Sequence, residues 1–132
     1  MLKQQEVIPV VVQGSEQTLK FHDKEIIRNA IFFDLEHYLY KEPIAIGVFG
    51  AAVYEEAEKA VITTQYMIEN KKDARAILEM TKEYLINQKN NRKQYLVTFS
   101  GNNDFLVINH LYQKYDISYS FEEEFVLIDL QK

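Results

Sequence analysis

The chain has 132 residues, of which 47% are hydrophobic, with eight Phe, nine Tyr, four Gly and two Pro; this supplies a core for one globular domain and leaves little room for linkers or low-complexity segments. A formal charge of -5 argues against nucleic acid binding by broad electrostatic attraction, so such a partner would need local positive charge or a metal. Cysteine is absent, which excludes disulfides, thiolate metal sites and cysteine nucleophiles. With no charged-then-apolar leader and no membrane-length apolar run, the expectation is a soluble cytoplasmic protein with no membrane partner.

Val7 to Gln13 is a branched apolar run ending at the turn signal Gly14-Ser15, and Gln17 to Phe21 alternates after it. This predicts an N-terminal hairpin or extension over residues 1–29. Asp23 to Asn29 is helix-like. Ala30 to Glu36 then reads as a buried strand, the first of a main sheet. Ile44 to Tyr54, opened by Pro43, and Ala60 to Ile68 are two further strands joined across the acidic turn Glu55 to Lys59, a hairpin pattern.

Asp73 starts the clearest helix, with Ala76, Ile77, Met80, Tyr84 and Leu85 at helical spacing and Lys82 and Lys89 nearer its end. The polar stretch Gln88 to Gln94, with the basic residues Lys89, Arg92 and Lys93, reads as a solvated loop. Tyr95 to Phe99 is a short buried strand and Ser100 to Asn103 a turn. A second helix, Asp104 to Tyr115, puts Val107, Ile108, Leu111 and Tyr115 on one face, with Asn102 or Asn103 as its cap. The acidic run Glu122-Glu123-Glu124 is expected to cap a turn or maintain solubility. Phe125 to Leu130 is the last strand.

Three consecutive strands, then helix, strand, helix and strand, define an α/β domain over residues 30–132. Hairpins make the first three strands antiparallel, and helical crossovers make the first, fourth and fifth parallel. The predicted mixed sheet has the order 3-2-1-4-5, with helices after the third and fourth strands. Its first and fourth strands then end side by side, which brings Asp34 and Glu36 to the same edge as the turn carrying Asp104. Ligands favour that edge of an α/β sheet.

Asp34 and Glu36 stand two apart in a strand, so their side chains share a face. Like charges held together in this way are costly unless a cation lies between them, and a divalent metal is the usual answer. Taken alone, the Asp-x-Glu triplet also fits two carboxylates emerging into water. His37 and Tyr38, just beyond it, are candidate substrate contacts, with structural packing as the other reading of each. Asn103 is suited to hold the turn that aims Asp104.

Phe32-Phe33-Asp34-Leu35-Glu36 resembles the first motif of the DEDD (DnaQ-like) 3'-5' exonucleases, which have a ribonuclease H-like fold. Thr98-Phe99-Ser100-Gly101-Asn102-Asn103-Asp104-Phe105 resembles their second motif, in which a polar turn after the fourth strand delivers an aspartate at a helix start. The Gly turn most resembles a group of predicted ribonuclease H-like nucleases of bacteria. The resemblance runs from about Ala30 to Leu130. This chain has Asn103 where the family usually has Phe, and it lacks the last motif and the C-terminal helices that carry it.

The resemblance implies hydrolysis of DNA or RNA phosphodiesters at single-stranded ends, with Mg2+ or Mn2+ as cofactor. Two hard cations ~3.5–4 Å apart activate the attacking water and stabilise the leaving oxyanion. Asp34 would bridge both ions, Glu36 would bind the ion holding the water, and Asp104 would help the second. The fourth carboxylate and the general base are then expected from a longer chain, a homodimer partner or another completing chain. The alternative is a non-catalytic ribonuclease H-like scaffold that binds a protein or nucleic acid. A phosphoacceptor receiver fits less well, because receivers alternate strand and helix from their start.

Overall fold

The computed structural model describes residues 1–9, 25–40, 42–99 and 103–130. Its elements are β1 (Leu2–Pro9), α1 (Glu25–Arg28), β2 (Ala30–Tyr40), β3 (Glu42–Glu55), β4 (Ala60–Met67), α2 (Ala74–Asn90), β5 (Tyr95–Thr98), α3 (Asn103–Lys114), α4 (Phe121–Glu124) and β6 (Val126–Asp129). A 3₁₀ turn over Lys71–Asp73 leads into α2. The strands form one mixed sheet in the order β1-β4-β3-β2-β5-β6. β2, β3 and β4 are linked antiparallel, while β5 joins β2 and β6 joins β5 in parallel.

Five of these strands reproduce the expected 3-2-1-4-5 order. The difference is a sixth strand, β1, which pairs antiparallel with β4 from Leu2↔Met67 to Pro9↔Ala60. The branched run from Val7 suggested pairing across the nearby Gly14-Ser15 signal, but the described strand starts earlier and finds its partner some sixty residues away. The second arm of the expected hairpin, Gln17 to Phe21, lies outside the described residues. The acidic run expected to cap a turn instead forms the short helix α4, anchored by the buried Phe121.

Period-two alternation in β2 divides the sheet. Ile31, Phe33 and Leu35 are buried beneath the helices, while Asp34 and Glu36 are exposed on the other face. Phe33 packs against Phe49 of β3 and Phe105 of α3, with ring centroids 6.4 and 5.5 Å apart. Ile77, Leu78 and Leu85 of α2 and Val107, Ile108 and Leu111 of α3 complete this core. Between the two helices, the Thr81 hydroxyl donates to the Leu78 carbonyl at 2.8 Å, so the Tyr112 hydroxyl at 2.7 Å is the donor to Thr81. A smaller cluster on the opposite face joins Ala30 and Val97 with Phe32, Tyr95, Ile128 and Leu130.

The basic stretch before β5 differs from the solvated loop expected of it. Lys93 is only 4% exposed. Its ammonium donates to the carbonyls of Arg28 and Tyr54, so one cation ties together the entry to β2 and the end of β3. Lys89 donates to the Glu124 carbonyl and lies over the Phe125 ring. A long stem can bury its methylenes while the charged end finds backbone acceptors, and polarity alone does not reveal this. Both residues remain at the end of the sheet opposite Asp34, as expected.

Burial pushes the phenols of Tyr84, Tyr112 and Tyr119 well above the ordinary tyrosine range. Burial also lowers the Lys93 ammonium, against the opposing charge of Glu55. In the unfolded chain the phenols ionise near pH 10, while the folded ones keep their protons, so the folded state holds more phenolic protons and loses stability as pH rises. Burial raises the Tyr66 phenol in the same direction; Lys93 acts with the opposite sign, but it is one group against four phenols. The urea midpoint is therefore expected to fall from about pH 10 upward. Tyr112→Phe should make that fall shallower, as read from urea titrations followed by circular dichroism at several pH values.

Candidate functional site

The site lies where β2 outruns its parallel neighbour. β2 and β5 are in register only from Ala30↔Tyr95 to Phe32↔Val97, whereas β2 continues to Tyr40. On the other side, β2 stays in regular register with β3 from Ile31↔Val53 to Glu36↔Val48, and the register shifts between Glu36 and His37. Asp34 and Glu36 thus sit in the last regular stretch of the strand. They project from one face and are both exposed.

Asp104 lies in the first turn of α3, where the helix dipole favours a carboxylate. It is only 3% exposed. Its Oδ2 accepts from the Leu35 backbone N–H and from the Thr98 hydroxyl, each at 3.3 Å. The carboxylate therefore takes the place of a strand partner where β5 has ended, and it touches the backbone between the two exposed acids. Phe105, the next residue, packs on Phe33, so one hydrophobic contact sets the start of α3 against β2.

The structure thus brings Asp34, Glu36 and Asp104 to one edge, in two different environments. Asn103 is the exposed first residue of α3. His37 and Tyr38 contribute backbone to β2, opposite Ile46 and Ala45; the substrate contacts expected of their side chains lie outside what is described. His110 is exposed on α3, away from this edge. Asp129 ends β6 opposite Thr98.

Hard divalent cations take oxygen ligands, and Mg2+ is commonly held by one or two carboxylates with water and substrate phosphate completing its shell. Asp34 and Glu36 fit that requirement for one ion, being exposed carboxylates on one strand face. Among the described residues, no three His, Asp or Glu side chains gather closely enough to hold an ion together. Asp104 has one oxygen engaged by two protein donors.

Sequence reasoning missed the contribution of Thr98 and the shape of the surface beside Asp34. A groove of about 490 Å³ opens there, lined by Gln4 and Glu6 of β1, Thr63 and Gln65 of β4, Gly50 and Ala52 of β3, and Phe32, Asp34 and Phe99. Thr98 carried a positional signal, since a hydroxyl at a strand end beside a turn is well placed to bond a helix-start aspartate. The groove carried none, because it depends on the register of four strands.

A family model described as the RNase_H superfamily matches residues 31–132. No curated protein and no solved structure matches the chain. The matched span starts at the strand that carries Asp34 and Glu36 and includes both crossover helices. Among the described residues, no helix is long and apolar enough to cross a membrane.

The two kinds of carboxylate predict different responses to substitution. Asp104→Ala leaves the Leu35 N–H and the Thr98 hydroxyl without their acceptor and is expected to cost about 2–3 kcal/mol. Asp34→Asn, at an exposed position, should change stability by no more than about 0.5 kcal/mol. Urea unfolding of the two variants beside the parent chain measures the difference.

Proposed function

The chain belongs to the RNase_H superfamily, and from that premise we propose that it is a metal-dependent nuclease, a 3'-5' exonuclease acting on single-stranded ends of DNA or RNA. The observation that carries this reading is the exposed pair Asp34 and Glu36 on one face at the end of a central strand, with the α3 aspartate anchored against the same backbone. Superfamily membership and the resemblance of both motifs to the DEDD exonucleases support it.

In this reading Asp34 and Glu36 would hold Mg2+ or Mn2+. The bound cation supplies Lewis-acid polarisation of the phosphodiester and a more acidic water. The chain's own residues do the positioning. Regular pairing of β2 with β3 keeps the two carboxylates side by side, and burial of Phe33 and Leu35 on the opposite face stops the strand from rotating. Asp104 fixes the β2 backbone between them. The two-metal scheme would require Asp104 as a ligand as well, while its bonds to Leu35 and Thr98 support a positioning role. A completing chain or further segment would supply the fourth carboxylate and general base of that scheme. The expected setting is cytoplasmic.

The second reading, a scaffold that binds without cleaving, is favoured by one observation: Asp104 is buried and one of its oxygens is taken up by the Leu35 N–H and the Thr98 hydroxyl. Digestion of end-labelled single-stranded DNA and RNA with Mn2+ separates the two. The nuclease reading expects a ladder of shortened products that disappears in Asp34→Asn and on chelation. Cleavage retained in Asp34→Asn would remove Asp34 from the chemistry, and absence of cleavage on every substrate would favour the scaffold.

A further inference from the structure

The groove beside Asp34 is built by strand register. Asp34, Gly50, Gln65 and Gln4 are successive partners across β2, β3, β4 and β1, and Phe32, Ala52, Thr63 and Glu6 form the adjacent row. With strands about 4.8 Å apart, Asp34 and Gln65 stand roughly 10 Å apart across the sheet. Gly50 and Ala52 lie on β3 between β2 and β4, so the floor beside β2 has almost no side chain, and Gln4 and Glu6 stand one strand further, roughly 14 Å from Asp34 and Phe32. The result is a trough whose near wall holds the Asp34 carboxylate and the Phe32 and Phe99 rings. Gln4, Glu6, Thr63 and Gln65 form its far side.

We propose that this trough is a subsite for one unpaired nucleobase with an amine where guanine, uracil and thymine have a carbonyl, that is, adenine (N6) or cytosine (N4); the inference rests on the nuclease reading of Asp34 and Glu36 and adds a base preference to it. A volume of about 490 Å³ falls within the ~300–1,000 Å³ of ordinary ligand sites. Phe99 is 60% exposed and Phe32 is half-buried, and aromatic faces at a single-strand site stack bases of any sequence. The phosphate is excluded from the trough itself, because Asp34 and Glu6 place a carboxylate on each side and neither can donate a hydrogen bond. A base fits where an anion does not.

The far wall carries the discrimination. Gln4 Nε2 donates to Glu6 Oε1 at 2.9 Å, which holds the carboxylate in place on β1. A carboxylate accepts from the cytosine amine, and a Gln amide pairs with the amine and adjacent ring nitrogen of adenine. Uracil and thymine would present a carbonyl oxygen to Glu6, acceptor against acceptor. β1 lies outside the 31–132 match to the superfamily, so the residues that choose the base come from a strand the match does not cover.

Fluorescein-labelled dA6, dC6 and dT6 titrated with the protein in Ca2+, read by anisotropy, test the assignment. The expected result is dA6 and dC6 binding at least about fivefold more tightly than dT6. Glu6→Gln, which gains a donor, should bring dT6 close to the other two. Gly50→Leu should weaken all three by about tenfold by filling the trough; a Cβ at Gly50 would meet only the Asp34 carbonyl oxygen, at 4.0 Å, so the backbone tolerates it. Thermal unfolding of both variants checks that the sheet is intact.

Equal binding of the three oligomers, a preference unchanged in Glu6→Gln, or no binding at all would overturn the subsite. Equal binding accompanied by Mn2+-dependent cleavage would remove the base pocket and leave the nuclease. Base-selective binding without cleavage would keep the pocket and remove the hydrolytic reading.

Discussion

The hydrogen bond from the Leu35 N–H to the Asp104 carboxylate is the constraint on which the rest of this edge depends. β5 stops at Thr98 while β2 runs on, so the backbone of β2 reaches a point where its parallel ladder has ended. A buried N–H left there without an acceptor would cost as much as a lost hydrogen bond. Asp104 meets the need from the start of a helix, and Thr98, the last residue of β5, donates to the same oxygen. One carboxylate thereby joins β2, β5 and α3. Phe105 on Phe33 supplies the apolar half of the same joint.

That joint makes the two faces of β2 differ in kind. On the helix side, Phe33 and Leu35 are locked into the core. On the open side, Asp34 and Glu36 have solvent around them. Both faces follow from one alternating sequence, since a one-residue slip would bury both acids and expose both apolar residues. Such a slip would take two unpaired carboxylates into the core, a cost far above any gain in packing. Charge at Asp34 and Glu36 thus helps to specify the register of the strand that displays them.

Most of the main sheet was legible in the sequence because its signals are local. Alternation gave β2, helical spacing gave α2 and α3, and those two helical crossovers gave the parallel pairing of β5 with β2 and β6, while the turn expected over Ser100 to Asn102 lies outside the described residues. What could not be read depends on contacts distant in sequence. The pairing of β1 with β4 competes with a nearby turn signal, and nothing in Leu2 to Pro9 points to Ala60 to Met67. Lys93 reads as solvated until two carbonyls from separate strand ends are seen to converge on it. At the site, residue types and the shared edge were legible for Asp34, Glu36 and Asp104. The difference between exposed acids and a buried acceptor was not, because burial of Asp104 is set by the ladder that ends beside it.

On the proposed nuclease reading, the same long-range pairing decides how so acidic a chain would hold a nucleic acid. A chain with a formal charge of -5 gains little from diffuse attraction to phosphate, and two exposed carboxylates make the local field worse until a cation neutralises them. Contact with the bases carries no such penalty. It needs aromatic faces and fixed polar groups close to the acids, and β1 brings Gln4 and Glu6 into the row that ends at Asp34 and Phe32. Phosphate contact through the cation is indifferent to sequence, whereas base contact is not. In the proposed reading, the edge strand β1 would supply the sequence-reading half of the site without altering the backbone that holds the acids.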